Sequence, residues 1–215
     1  MILALVSPRL GPATEPTRAV LAALDRSQLT RFVRAPATPL SVLLPPALLP
    51  SASRASSPRQ AGAPARLKLL LPEGADAPRA TAARVQVQLY DHGVRAALES
   101  APAATFATRL ATGDFDAALI PVWLVSPVPA LALGQIAATA GGTERGARAL
   151  AQAAAADAAA LPAVAARLEA ELIAVPLYAA GLRVAARDGV EGLWVRGDGT
   201  LELGDTWLMP DRGGP

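Results

Sequence analysis

Few residues in this chain are equipped for chemistry. His92 is the single histidine among 215 residues, and cysteine is absent. A lone imidazole with no second ligand type near it does not make a metal site. At the end of a helix it is better explained as a residue favoured by the dipole. Without cysteine there are no disulfides, no thiolate nucleophile and no Cys-ligated zinc or iron–sulfur site. Asp114 and Asp116 stand two apart, and at a strand entry both would point the same way. No histidine or further acid completes an acid–base set, so a turn role is expected for them. Gly197-Asp198-Gly199 lacks the spacing of a phosphate loop, and no nucleophile elbow of the GxSxG kind is present. No enzyme and no cofactor are expected.

Trp123 is of a different kind. It ends an apolar run that begins at Ala117, and the pattern around it places that end on the carboxyl edge of a parallel sheet, where open α/β sheets bind ligands. An indole there offers a broad apolar plane with one N–H donor. Simple core packing accounts for the same residue equally well, and position alone does not decide between the two. Ser126, just beyond, either supplies a hydroxyl or starts a turn before Pro127. Trp123, Val125 and Ser126 are the candidate ligand-binding residues; none is a candidate for catalysis or metal binding.

The elements that must position them lie between Arg66 and Trp123. Leu67 to Leu71 is an apolar run closed by Pro72, Glu73 and Gly74. Pro78 to His92 carries apolar residues at helical spacing, with Val85, Leu89 and Val94 on the buried side and Arg84, Gln86, Gln88 and Asp91 toward water. Pro78 suits a first turn and Gly93 a left-handed close. Val94 to Leu98 is a second short strand. Pro102 opens another helix, Phe106 and Leu110 share its face, and Gly113 ends it. Strand, helix, strand, helix, strand is the pattern of a parallel sheet with crossover helices.

The flanks are less regular. Ile2 to Val6 is expected as a strand, followed by a helix near Pro16 with Val20, Leu21 and Leu24 buried and Thr14 as its cap. Ser27 is expected to cap a second turn holding Leu29, Phe32 and Val33. Ala35 to Pro64 is a Pro/Ser-rich extended loop with an apolar clamp at Val42-Leu43-Leu44. After Trp123 come a loop to Pro129, a short helix to Ala138, and an alanine-rich helix from Thr143 through Ala160 with little to bury. Leu161-Pro162 restarts a helix that Pro176 ends. Leu177 to Val184 is then a strand, Leu193 to Val195 and Leu201 to Leu203 a hairpin, and Trp207 to Pro215 a trailing end.

Hydrophobic residues make up 52% of the chain but aromatics only 4%, so the core must be aliphatic and alanine-rich. The formal net charge is +2, with arginines spread along the chain rather than clustered; nucleic acid is not an expected partner. Residues 35–53 and 117–143 carry no charge, yet prolines interrupt both, and a spanning helix needs ~20 unbroken apolar residues. No signal peptide is visible at Met1 to Val6, which no basic segment precedes.

Several stretches resemble the family 5 extracellular solute-binding proteins, which serve oligopeptide, dipeptide and nickel ABC importers. Thr17 to Leu29, with Asp25-Arg26, is similar to the family's "AiDReaL" helix. Leu43-Leu44-Pro45-Pro46 is similar to "llPp", and Ala83 to Val94 to "iqaqLaaiGi". Phe106, Leu110, Gly113, Phe115, Asp116 and Trp123 follow "f...l..g.fDa.l.gW". Ala174 to Tyr178 resembles "iPLy", and Val190 to Leu193 "v.Gl". The motifs occur in the family's order over nearly the whole chain.

The resemblance implies a fold and a function. The fold is the second, C-terminal lobe of a type II periplasmic-binding-protein architecture, α/β, with a parallel βαβαβ core and crossing terminal strands. Residues 1–215 would form one lobe: 1–34 an entry strand and helix, 35–65 the loop, 66–190 the core, 191–215 a return hairpin and tail. The function is capture of a peptide-like or other small solute for an ABC permease, in the periplasm or cell envelope. A first-lobe polypeptide or another protein chain is implied as partner, because the family's first lobe has no counterpart here. The alternative is a lobe that has lost transport and serves as an assembly partner. One departure bears on the ligand. Where the family's peptide binders place an acid three residues after this tryptophan, the chain has Ser126. A neutral hydroxyl does not offset a buried ammonium, so recognition of a free peptide N-terminus is not expected.

Overall fold

The computed structural model describes residues 2–6, 15–33, 36–45, 48, 66–74, 76–141, 143–172, 174–181, 184–196 and 200–209. Its centre is the predicted unit: strand β3 (Arg66–Pro72), helix α3 (Asp76–Asp91), strand β4 (Arg95–Ala101), helix α4 (Ala103–Thr112) and strand β5 (Ala117–Val122). β3 runs parallel to both β4 and β5. The punctuation works as its chemistry requires. Gly93 and Gly113 close α3 and α4 with φ of +79° and +71°, a region that costs glycine nothing. Asp114 and Asp116 are tied to neighbouring elements: Arg109 of α4 pairs with Asp114 at 3.4 Å, and Asp116 accepts the Lys68 backbone N–H of β3 at 2.8 Å.

The terminal strands complete a six-stranded sheet. β1 (Ile2–Val6) lies between β5 and β6 (Ala174–Ala180), antiparallel to both, and β2 (Ala37–Pro39) pairs with the far side of β6. The order is β2-β6-β1-β5-β3-β4. Pro176 was expected to end a helix; it lies inside β6 instead. The register slips between Leu3 and Ala4, which face Tyr178 and Pro176, and a bulge is where a sheet tolerates a residue without an N–H. The strand ends at Ala180, short of Val184.

Both faces of the sheet are covered, so its central strands are apolar on both sides. On one face Leu67, Leu69, Leu71, Leu119 and Leu177 meet α1 (Glu15–Ala22), α2 (Arg26–Thr30) and α3 through Leu21, Leu29, Val85 and Leu89. Asp25, not Ser27, caps α2, its side chain accepting the Gln28 N–H at 3.1 Å. Asp25 also exchanges main-chain hydrogen bonds with the Gln88 amide on α3, while Arg26 donates to the Pro176 carbonyl at 2.8 Å. Gln88 is therefore half-buried rather than solvated. Deep in this face Tyr178 is fully enclosed and shares a 2.7 Å hydrogen bond with Thr81. Burial pushes its phenol pKa up, and the Thr81 bond partly offsets this.

On the other face Leu70, Ala118, Ile120 and Val122 pack under Phe106 of α4 and under α5 (Pro129–Gly141), α6 (Thr143–Ala155) and α7 (Leu161–Leu172). α6 ends at Ala155 rather than Ala160. The Asp157 carboxylate accepts the Ala160 N–H at 2.7 Å, a local bond that competes with continued helix. Nor is α6 short of partners: Ala149 and Ala153 are buried against the core. The apolar clamp is deeper than a loop would suggest. Leu40, Leu43 and Leu44 are sealed in this core, and the buried Glu169 carboxylate accepts the Leu43 N–H at 2.5 Å.

The remaining strands form two small antiparallel pairs, β7 (Val190–Glu191) with β10 (Trp207–Leu208) and β8 (Trp194–Val195) with β9 (Leu201–Glu202). The predicted hairpin is the second of these, and its tip, 197–199, lies outside the described residues. Trp207 does not trail off but is tied back to Glu191. Thr14, residues 51–65 and Ile173 also fall outside the description.

Candidate functional site

The three candidate residues sit where one strand outruns its neighbour. β3 accompanies β5 only at Leu69↔Ala117 and Leu70↔Ala118, whereas β1 follows it to Ile2↔Val122. The carboxyl end of β5 therefore projects as a rim, and the chain turns there through 123–128 into α5. Trp123 is 38% exposed. The residue is not sealed in the core. Val125, Val128 and Leu131 are more exposed still. Segment 123–131, the ledge, thus carries four large apolar side chains that are exposed.

The polar groups of the ledge are already paired within the chain. The Gln135 side chain, reaching from α5, donates from Nε2 to the Trp123 carbonyl and accepts the Val125 N–H at 3.1 Å through Oε1. Ser126 Oγ accepts the Val128 N–H at 3.1 Å, and the Val128 carbonyl accepts the Ala132 N–H at 3.0 Å. Ser126 thus acts as the turn that starts α5. Gln135 was not among the sequence candidates. A signal existed: it is the only amide side chain in the uncharged stretch 117–143.

The opposite, amino edge has a different character. A cavity of about 340 Å3 lies there, lined by Arg66, Lys68, Arg95, Glu99 and Asp116 among others. Its carboxylates are engaged: Glu99 pairs with Arg109 at 2.7 Å, and Asp116 holds the Lys68 N–H. They form no free acid–base pair. His92 is exposed just past α3. Among the described residues no group of three or more His, Cys, Asp or Glu is placed to hold a metal ion. No helix among them is long and apolar enough to cross a membrane.

No family model matches the sequence, and no curated protein matches it. Solved structures do match the fold. The dipeptide-binding protein from Pseudoalteromonas sp. SM9913, in complex with Met-Leu, superposes with a TM-score of 0.71 at 16% identity, over 97% of this chain and 48% of that one. The murein tripeptide binding protein MppA of Escherichia coli gives 0.63 at 16% identity, over 83% and 42%. A substrate-binding protein from Microbacterium hydrocarbonoxydans, complexed with 4-hydroxybenzoate hydrazide, gives 0.58 at 20% identity, over 92% and 47%. The chain spans about half the length of these structures. At such identities the likeness establishes architecture, and the architecture is that of a periplasmic-binding-protein-like lobe.

Proposed function

We propose that this chain is a ligand-capturing lobe of the solute-binding component of an ABC importer, and that solute docks on the rim at Trp123, Val125 and Ser126. The observation that carries the reading is the half-exposed indole at the carboxyl end of β5, at the head of an apolar ledge. Monomeric proteins seldom leave large apolar side chains clustered in the open without a use for them. A first-lobe polypeptide would close over this rim, and a membrane permease would receive the solute from the periplasmic or cell-envelope side.

A thermal-shift panel of dipeptides and small aromatic amides tests this. A binding solute is expected to raise the melting temperature of the chain, and Trp123→Ala to weaken that solute tenfold or more, about 1.4 kcal/mol. The Trp123 carbonyl, not its side chain, anchors the turn, so the variant should fold. Trp194→Ala should keep the response. A panel in which no solute shifts the wild-type chain contradicts the reading.

A second reading is favoured by a separate observation. The β7–β10 and β8–β9 pairs expose Trp194 (69%), Trp207, Leu201, Leu203 and Leu208. Two-stranded pairs of this size do not hold themselves together in water. On this reading the chain is an assembly partner, and a first-lobe polypeptide or another protein chain covers these strands. Sedimentation at high concentration should then show association or a co-purified partner. A clean monomer with these segments well protected from hydrogen exchange would contradict it.

A further inference from the structure

We infer that Gln135 decides what the Trp123 rim recognises: its amide occupies the main-chain positions that a peptide ligand would use, so the rim takes an uncharged aromatic or branched aliphatic group through side-chain faces. The inference rests on the reading of this rim as the solute site.

An extended ligand commonly binds a sheet edge by adding a strand, through main-chain hydrogen bonds. In a parallel ladder each residue of the added strand donates its N–H to the carbonyl of residue i−1 and accepts the N–H of residue i+1. Around Leu124 those two groups are the Trp123 carbonyl and the Val125 N–H. They are the groups that Gln135 takes, Nε2 donating to the first and Oε1 accepting from the second at 3.1 Å. A carboxamide has the donor and acceptor of a peptide unit, so Gln135 stands in for one residue of a bound strand. Ser126 Oγ is likewise engaged as acceptor, by the Val128 N–H at 3.1 Å.

What faces outward is then the indole with Val125, Val128 and Leu131. No charged residue occurs anywhere in 117–143. An ammonium or carboxylate seated on the ledge would lose hydration with no countercharge supplied by the segment 117–143 itself, a cost that a neutral apolar group does not meet. The ligand class is a small solute that presents an uncharged apolar or aromatic end to this lobe.

The test follows the Trp123 indole N–H resonance of the chain, assigned by its loss in Trp123→Phe, during titration with two probes. One is neutral p-cresol, an aromatic end without a peptide unit; the other is the zwitterionic dipeptide Leu-Leu. The wild-type chain should bind the neutral probe about fivefold or more tightly, because only the dipeptide brings charges to be desolvated. Gln135→Ala frees the Trp123 carbonyl and the Val125 N–H, and should shrink that ratio by improving the dipeptide. Gln135→Met, which keeps the side-chain length without the amide, repeats the measurement if the alanine variant folds poorly. Equal or tighter dipeptide binding by the wild type overturns the inference while leaving a solute site at the rim. So does a ratio unchanged in both variants. A resonance that neither probe moves overturns the solute site and this inference together.

Discussion

Leu43→Ala should lower the unfolding free energy by about 3 kcal/mol, within the range for emptying a fully buried leucine site. The position lies outside any helix or strand, where substitutions are ordinarily mild. Here the side chain is fully buried in the core shared by Leu40, Leu44, Ile136 and Leu168. The backbone beneath it is pinned by the Glu169 carboxylate, so the segment is not free to sink into the void. Denaturation by urea measures the loss. The exposed neighbour Ser41 is the control, since Ser41→Ala should stay within about 0.5 kcal/mol. A Leu43→Ala cost under about 1 kcal/mol would mean that the segment collapses freely and is not a fixed part of the lobe.

Gly146→Ala should destabilise by about 2 kcal/mol, against the sign that helix propensity gives. Replacing a mid-helix glycine by alanine ordinarily gains about 1 kcal/mol. At this position a new Cβ would stand 2.4 Å from Ala138 Cβ and 2.9 Å from Ala138 Cα. Neither atom is the end of a flexible side chain, so α6 must move off α5, and overpacking of this kind costs about 1–3 kcal/mol beyond any propensity gain. Gly134→Ala tests the same seam from the other helix, with a milder contact of 2.9 Å to Leu150 Cβ. The two melting temperatures should fall in the order Gly146→Ala below Gly134→Ala below wild type. A stabilised Gly146→Ala variant would show that the helices are not in this contact. The seam bears on the proposed solute site because α5 carries Gln135 and starts at the Ser126 turn, so its placement sets the rim.

The central unit was legible because its signals are local. Pro72, Gly93, Pro102 and Gly113 act through their own backbone, and the apolar positions between them repeat with the period of the element they build. The same locality explains the ends of β1 and the buried side of α1. Where the sequence misled, a distant part of the chain decided. Pro176 looks like a helix terminator until β1 and β2 pair on either side of β6 and a bulge takes up its missing N–H. Asp25 and Ser27 are both good caps on paper, and Asp25 is also the residue that the Gln88 amide holds. The pairing of β7 with β10 joins strands of two residues, too short for any pattern to announce. For the site, spacing placed Trp123, Val125 and Ser126 at the carboxyl edge, and they lie there. Whether the indole was open, and that Gln135 closes the chain behind it, depended on how far β5 outruns β3 and on the approach of α5.

The most direct measurement of the central claim uses chains in which one tryptophan remains. Trp194→Phe and Trp207→Phe together leave Trp123 as the only indole, since the sequence holds three. Its emission should begin partly accessible to acrylamide and change saturably with a binding solute. The companion chain that keeps Trp194 and lacks Trp123 should stay flat over the same titration. A solute that alters Trp194 or Trp207 while leaving Trp123 unmoved would contradict the account.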